Sequence, residues 1–226
     1  MKPKVLFIHN PRTAGTSIQR SGICFGTRFD GLKPAIRKQM DLDPNAPITM
    51  APIMQRAAEK HIPYHFLDKS FTDQYDKVFT IVRNPWAKLV SLFEHGHRLF
   101  DRTVNTPYHQ PIIEWDDFIN NIDTFIMTSN FYWNHAYDQQ GSQHNWLNPK
   151  YVDVLRYENL QADLNDYFDS EICLGSENSS STKRHYTEYY TREQLNKVAE
   201  NFWLDINYFG FTFESGATQN YWKNND

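Results

Sequence analysis

Residues 5–20 read VLFIHNPRTAGTSIQR, a short apolar run that leads into a turn rich in small and hydroxyl-bearing residues. The run at 4–9 (KVLFIH) is continuous and rich in β-branched and aromatic residues, which predicts a buried parallel strand. A turn is predicted at TAGTS, and a helix is predicted to begin near Thr16. A strand, a turn and a helix in this order form the backbone of many phosphate-binding loops.

The segment NPRTAGTS fits the frame of the nucleotide-binding motif G-x-x-x-x-G-K-[ST]. Asn10 falls on the first glycine of the motif and Gly15 on the second. Thr16 replaces the lysine, whereas Ser17 keeps the hydroxyl. We therefore expect the backbone N–H groups of residues 13–17 to face an anion above a helix N-terminus.

Arg12 brings a cation to this loop from a position different from that of the missing lysine. In kinases that lysine reaches the transferred phosphate, so its absence weakens a magnesium-dependent ATPase interpretation. A reaction on a less charged group, which needs no metal to neutralise it, is favoured instead. For this loop alone, a tight strand–helix turn with an exposed arginine is the alternative.

Residues 76–85 (DKVFTIVRNP) predict a second strand, and Pro85 either ends it or opens the next helix. Arg83 leaves the carboxyl end of this strand, and Ser91 follows eight residues later in the helix. A cation and a hydroxyl so placed predict a second phosphate site close to the first loop. A structural ion pair at Arg83 is the alternative. The helix has an apolar stripe at Trp86, Leu89, Val90, Phe93 and His97.

The rest of the chain alternates predicted helices and strands. A helix is predicted at 114–122, a third buried strand at 152–160, a polar loop at 176–185 and a helix capped by Thr191. The segment 34–63 is rich in proline and predicts short helices joined by irregular loops. The alternation indicates a parallel α/β sheet, whose ligands bind at the carboxyl ends of the strands.

Composition narrows the class of protein. The 226 residues predict one domain spanning 1–226, and a net charge of −4 argues against nonspecific nucleic-acid binding. The two cysteines are too few for a disulfide scaffold. The first residues do not read as a signal peptide, and no segment reaches the ~20 apolar residues of a membrane span. A cytoplasmic protein is expected.

Four segments resemble one enzyme family: FIHNPRTAGTSI, FTIVRNPWAKLVSLF, VLRYENLQADLNDYF and YTEYYTREQLNKVAENFWLDINYFGFTF. In this order, over about residues 5–213, they resemble the PAPS-dependent sulfotransferases, in particular the carbohydrate group related to heparan-sulfate and chondroitin sulfotransferases. The resemblance implies a P-loop-like fold, a parallel sheet flanked by helices. It also implies 3′-phosphoadenosine 5′-phosphosulfate (PAPS) as donor, adenosine 3′,5′-bisphosphate (PAP) as product, a hydroxyl acceptor on a saccharide and no required metal.

The resemblance also implies roles for individual residues. It implies that the first loop binds the 5′-phosphosulfate, through Arg12, Thr13, Ala14, Gly15, Thr16 and Ser17. It implies that Arg83 and Ser91 bind the 3′-phosphate. A late polar loop closes over the donor, which points to Ser181, Lys183 and Arg184, although a solvated turn is an equal alternative there.

One departure from the family concerns Arg12, where close relatives often have lysine. Arginine is a planar fork with a permanent charge, whereas lysine is a point donor. Arg12 is therefore expected to stabilise charge on the leaving oxygen by electrostatics and not by proton transfer.

The general base is open in this family, which uses a histidine or a glutamate at positions that shift between subgroups. His61 is our first candidate and His65 the second, since both precede the Arg83 strand. Their spacing of four would suit a helical metal pair, but Pro63 argues against a regular helix and no third ligand is evident. The remaining candidates are Glu59, Glu94, His95 and His97.

Two other functions stay open from the sequence. The first is a P-loop nucleotide kinase, which lacks its loop lysine here. The second is a non-catalytic relative that binds nucleotide without transferring a group. Contacts to the acceptor are expected from 34–63 and from the aromatic-rich region 100–150, and the oligomeric state is not predicted.

Overall fold

The computed structural model describes residues 2–36, 38, 60–102, 114–122, 142–175 and 184–224. Their centre is a four-stranded parallel sheet in the order β2-β1-β3-β4. The strands are β1 (Val5–Ile8), β2 (Phe25–Gly26), β3 (Lys77–Val82) and β4 (Asp153–Arg156). The predicted α/β fold with a parallel sheet is confirmed.

Helices follow or flank each strand. Two short ones are α1 (Gly15–Ser21) and α2 (Lys69–Thr72). The longest is α3 (Pro85–Arg102), which leaves β3 with Pro85 at its first position. The others are α4 (Trp115–Asn120), α5 (Leu160–Phe168), α6 (Arg192–Asn201) and α7 (Trp203–Phe209). Short 3-10 turns lie at Phe29–Gly31, Tyr64–Phe66, His144–Trp146, Tyr157–Asn159, Tyr186–Glu188 and Trp222–Asn224.

Both faces of the sheet are covered, which explains why the central strand β1 is apolar and buried at every position. Val5 and Phe7 of β1 pack on one face with Ile18 of α1 and Leu164 of α5. Leu6 and Ile8 point to the other face, and they share a core with Trp86 and Leu89 of α3 and with Val198 and Phe202 of the C-terminal helices. The alternation follows from the two-residue period of a strand.

The local predictions agree with the structure in most places. The three predicted strands form, and Thr191 caps α6 in a capping box, in which Gln194 Oε1 accepts from the Thr191 N–H at 2.9 Å. The strand β2 was not predicted, because it has two residues and its Phe25 is exposed. Most of 34–63 and of 100–150 lies outside the described residues, and the extent of the single domain stays a prediction.

In the described part of the chain, no helix is both long enough and apolar enough to cross a membrane.

Candidate active site

The loop between β1 and α1 has an unusual backbone. Arg12 and Ala14 both adopt the left-handed conformation, with φ of 65° and 63°. Left-handed residues alternating with others turn successive N–H groups toward one point, which forms an anion-binding concavity. The N–H groups of residues 14–17 donate to no acceptor within the described ranges. The loop therefore presents backbone donors at residues 14–17 that are available to an anion.

Gly15 is required by a close approach. A Cβ built on Gly15 would lie 1.7 Å from Nε2 of His9, the residue that follows β1. The His9 ring is buried beneath the loop and stacks on Phe7 at a centroid distance of 5.4 Å. Burial and the nearby His61 hold the pKa of His9 well below its ordinary value, so this ring is neutral.

The start of the loop is tied to the rest of the sheet by Asn10, which is fully buried. The Asn10 carbonyl accepts a hydrogen bond from Thr13 Oγ1 at 2.7 Å, which turns the Thr13 side chain inward. The Asn10 amide donates to the Ile81 carbonyl at 3.3 Å and to Gln143 Oε1 at 3.1 Å. Side chains within the loop thus hold its shape and leave the outer surface to the backbone.

Arg83 lies where β3 ends, directly beside the loop. Its backbone is held by Gln143, which accepts from the Arg83 N–H at 2.8 Å and donates to the Arg83 carbonyl at 2.7 Å. The guanidinium lies 4.0 Å from the ring centroid of Tyr157, and its Nη1 donates to the Arg12 carbonyl at 3.2 Å. Its buried Nε has no hydrogen-bond partner in the part of the chain that the structure describes. Burial lowers the pKa of Arg83 from its ordinary value.

Ser91 of α3 completes this group. The Arg12 guanidinium donates to Ser91 Oγ from Nε at 3.3 Å and from Nη2 at 3.0 Å. Arg12, Arg83 and Ser91, which the sequence predicted in two separate motifs, are therefore in one hydrogen-bonded cluster.

His61 reaches the same loop from a distant part of the sequence. Its Nδ1 lies 2.9 Å from the His9 carbonyl, so Nδ1–H donates and the lone pair stays on Nε2. The two histidine rings are 4.2 Å apart by centroid. Burial lowers the pKa of His61 to about 4. The imidazole is thus neutral at pH 7 and able to accept a proton at Nε2.

Lys88 was not singled out from the sequence. It extends from the first turns of α3, and its ammonium donates to Asn10 Oδ1 at 3.1 Å. Burial lowers the pKa of Lys88 to about 8. A local signal existed, because Lys88 precedes Ser91 by three residues and so shares its helix face.

Comparison with known proteins identifies the family of the chain. The model of the sulfotransferase domain family matches residues 38–170. The chain belongs to the sulfotransferase family. The predicted PAPS-dependent sulfotransferase is thereby confirmed at the level of the family, whereas the match does not test the narrower carbohydrate group.

Two solved structures resemble this sulfotransferase distantly. One is mouse sulfotransferase SULT7A1 complexed with PAP, at 14% identity and a TM-score of 0.44, covering 91% of this chain and 84% of that one. The other is a retinol dehydratase in complex with androsterone and the inactive cofactor PAP, at 14% identity and a TM-score of 0.34, covering 93% and 82%. A search of curated proteins found no match.

The other predicted site residues of the sulfotransferase have these surroundings. His65 is exposed, and its ring packs edge-on against Tyr64. Glu94 accepts a hydrogen bond from the Tyr189 hydroxyl at 2.7 Å. Arg184 is exposed, with its guanidinium 4.4 Å from the Tyr189 ring centroid. Outside the described part are the residues Glu59, Ser181 and Lys183 and the side chains of His95 and His97.

Two further residues of the site had no sequence signal. Gln143, which holds both Asn10 and Arg83, is itself positioned by Asp205 of α7. This buried carboxylate accepts from the Gln143 N–H at 2.8 Å and from the Ser142 hydroxyl at 2.6 Å. Within the ranges that the structure covers, no group of three or more His, Cys, Asp or Glu side chains is placed to hold a metal ion.

Proposed function

We propose that this sulfotransferase moves the sulfuryl group of PAPS to a hydroxyl of a saccharide. The observation that carries the proposal is Arg83, a half-buried cation that lies between the phosphate loop and Tyr157 and whose buried Nε has no hydrogen-bond partner among the described residues. A buried unpaired donor is costly to a protein unless a ligand engages it. Among the described residues, no carboxylate lies within salt-bridge distance of this guanidinium.

The residues present fit the two charged ends of PAPS. The N–H groups of residues 14–17 and the Arg12 cation suit the 5′-phosphosulfate. Arg83 and Ser91 suit the 3′-phosphate, where the guanidinium fork can bind two oxygens at once. Ser181, Lys183 and Arg184 would cover the donor, a role that rests on the family resemblance.

PAPS supplies an activated sulfuryl group, and the chain supplies the groups that position and activate its partners. Arg12 places positive charge where the leaving 5′-phosphate gains negative charge. His61 takes the proton of the attacking hydroxyl at Nε2, because Nδ1 is committed to the His9 carbonyl. Its pKa of about 4 keeps the ring neutral and unprotonated through the neutral range.

His61 is favoured over the other bases by its position. Its ring lies against His9, which itself underlies Gly15 of the loop. His65 is exposed, and its ring contacts Tyr64 instead of His9 among the ring contacts of the described residues. The saccharide acceptor is supported by the resemblance of the four sequence motifs to carbohydrate sulfotransferases.

A binding experiment tests the nucleotide assignment. Isothermal titration calorimetry with PAP and with ATP–Mg²⁺ should give affinity for PAP that exceeds affinity for ATP by at least about tenfold, or about 1.4 kcal/mol. Preference for ATP–Mg²⁺ would instead favour the kinase alternative.

A transfer experiment tests the chemistry and its base. ³⁵S-labelled PAPS is incubated with oligosaccharides and, separately, with phenols and steroid alcohols, and labelled products are counted. We expect label on the saccharides, and we expect His61→Asn to lower kcat about 10²–10⁴-fold with PAP affinity nearly unchanged. His61→Asn keeps a side-chain donor for the His9 carbonyl.

The same substitution at His65 separates the two histidine candidates, and it should leave kcat within about twofold. Loss of turnover in His65→Asn but not in His61→Asn would reverse the assignment of the base. Label on phenols or steroids alone would overturn the saccharide acceptor. Tight PAP binding without label on any acceptor would favour the non-catalytic relative.

A further inference from the structure

The ammonium of Lys88 lies at the base of the phosphate loop, although Lys88 belongs to the following strand–helix unit. Its Nζ donates to Asn10 Oδ1 at 3.1 Å, and Asn10 occupies the first position of the loop frame. An ammonium carries three N–H donors. Within the described part of the chain, the other two donors of Lys88 have no acceptor.

The surroundings of Lys88 are rich in positive charge. Arg83 lies close enough to disfavour the charged form of Lys88, whereas Asp205 favours it. The oxygens of Asp205 are occupied by the Ser142 hydroxyl and by the N–H groups of Gln143 and His144. A second buried cation beside Arg83, without a hydrogen-bonded carboxylate of its own, is the arrangement that an anionic ligand relieves.

The position of Lys88 also fits the reacting end of the site. Lys88 and Ser91 are three residues apart on α3, so they share the helix face that contacts Asn10 and Arg12 of the loop. Lys88 and Arg12 both lower the pKa of His61 by their charge. The ammonium therefore lies near both the loop and the proposed base.

We propose that Lys88 supplies, from the helix after β3, the ammonium that the phosphate loop lacks at Thr16, and that it binds the 5′-phosphosulfate of the donor. This inference rests on the proposed function. Arg12 alone does not replace that lysine fully, because two of the five N–H donors of its guanidinium are engaged by Ser91 Oγ, through Nε and Nη2. Arg12 from the loop and Lys88 from the helix together provide the positive charge that a single lysine provides in a phosphate loop that has one.

In the transfer step, a bond forms between the acceptor oxygen and sulfur while the bond from sulfur to the bridging oxygen breaks. The electron pair of the broken bond stays on the phosphate oxygen. Lys88 stabilises this charge by donating a hydrogen bond and keeps its own proton. The proton of the acceptor hydroxyl goes to His61 Nε2.

The pH dependence of PAP affinity separates a ligand-binding role of Lys88 from a purely structural role, in which Lys88 only anchors Asn10. The described charged or titratable groups near Lys88 are Arg12, Arg83, His61 and Asp205. The pKa of His61 is about 4, and arginine stays charged, so neither titrates between pH 7.5 and 9.5. A bound phosphate dianion raises the pKa of Lys88 above its ligand-free value of about 8. Affinity is then full below pH 8 and falls as the pH rises.

The test is calorimetric titration of PAP between pH 7.5 and 9.5. PAP keeps the 5′-phosphate of the donor, so it reports on the group that Lys88 is proposed to bind. For the wild-type protein we expect the affinity to fall about tenfold over this range, with proton uptake near pH 8.5 in buffers of different ionisation enthalpy. Lys88→Met should lower the affinity at pH 7.5 about tenfold and abolish the proton uptake. Lys88→Arg should keep part of the affinity and also lose the uptake, because arginine does not titrate there.

A matched control is Lys77→Met at the opposite end of β3, where Lys77 donates to the Tyr167 carbonyl at 3.3 Å. It should leave PAP affinity and proton uptake unchanged. Single-turnover transfer is the second readout, and Lys88→Met should slow it at least 100-fold at saturating PAPS.

The outcomes separate this inference from the proposed function. If the wild-type protein binds no PAP, both fail. If the wild-type protein binds PAP while both Lys88 variants keep its affinity and its proton uptake, only the role of Lys88 is overturned. Should Lys88→Met fold poorly, proton uptake that persists in Lys88→Arg overturns the role equally well.

Discussion

Two arginines at the carboxyl edge of the sheet share their position at a strand end and their contact with a tyrosine ring, but they differ in whether a carboxylate binds them. Arg83 directly follows β3, and Arg156 is the last residue of the neighbouring strand β4. Each guanidinium lies 4.0 Å from a tyrosine ring centroid. Arg156 binds the carboxylate of Asp163 through Nε at 2.9 Å and Nη2 at 2.6 Å. Arg83 has no such carboxylate within the described ranges, and its buried Nε is unpaired.

The difference indicates different roles for the same side chain. Arg156 forms a structural ion pair with the Asp163 carboxylate at the start of α5. Glu158 is near enough to favour the charged form of Arg83, but no described carboxylate lies within salt-bridge distance of it, so Arg83 keeps donors for an anion from solution. Hydrogen bonds from Arg156 hold the pKa of Asp163 below its ordinary value, although burial alone raises it, whereas burial lowers the pKa of Arg83.

The largest effect on stability is expected from Arg156→Met. This change leaves the Asp163 carboxylate, whose residue is fully buried, without its cation. Removing one partner of a buried ion pair costs about 3–5 kcal/mol, and the low end applies here because Asn159 still donates to Asp163 at 2.7 Å. Urea denaturation should show a loss of about 3 kcal/mol in the free energy of unfolding, with PAP affinity at 25 °C unchanged in the folded fraction.

Arg156→Met, Asp163→Leu is the control, because the double variant removes both charges together. It should recover most of the lost stability. A single variant as stable as the wild-type protein would show that the pair is not structural and would break the comparison.

Arg83→Met should show the reverse behaviour. It removes a desolvated cation, so the free energy of unfolding should stay equal or rise slightly. PAP affinity should fall about 100–1000-fold, or about 3–4 kcal/mol, because a charge-assisted contact to phosphate is lost. Calorimetry measures the affinity and thermal denaturation the stability. Unchanged PAP affinity would remove Arg83 from the site and with it the basis of the proposed function.

Much of this site follows from local sequence. The loop at 10–17 and the pair Arg83 and Ser91 were predicted because each lies at a strand–helix junction, and parallel strands place such junctions at one edge. His61 and His65 could not be separated, since the turn around Pro63 decides which of them faces the loop and which is exposed.

The supporting residues could not be predicted, because their positions depend on contacts between distant segments. Gln143 binds the backbone of Arg83 across 60 residues of sequence, and Asp205 binds Gln143 across 62. A buried glutamine and a buried aspartate have no periodic pattern that distinguishes them from surface residues. The two-residue strand β2 was missed for a similar reason, since only its pairing with β1 defines it.

The smallest effect is expected from the tyrosines beneath the two guanidinium groups. Tyr157→Leu keeps apolar bulk under Arg83 but removes the ring face, which contributes about 0.5–1 kcal/mol to holding a cation. PAP affinity should fall about two- to fivefold by calorimetry. Tyr221→Leu is the matched change under Arg156 and should leave PAP affinity unaltered, because Asp163 alone fixes that guanidinium. If Tyr157→Leu instead weakens PAP binding as much as Arg83→Met, the ring itself contacts the ligand, and the contrast between the two arginines extends to the tyrosines that support them.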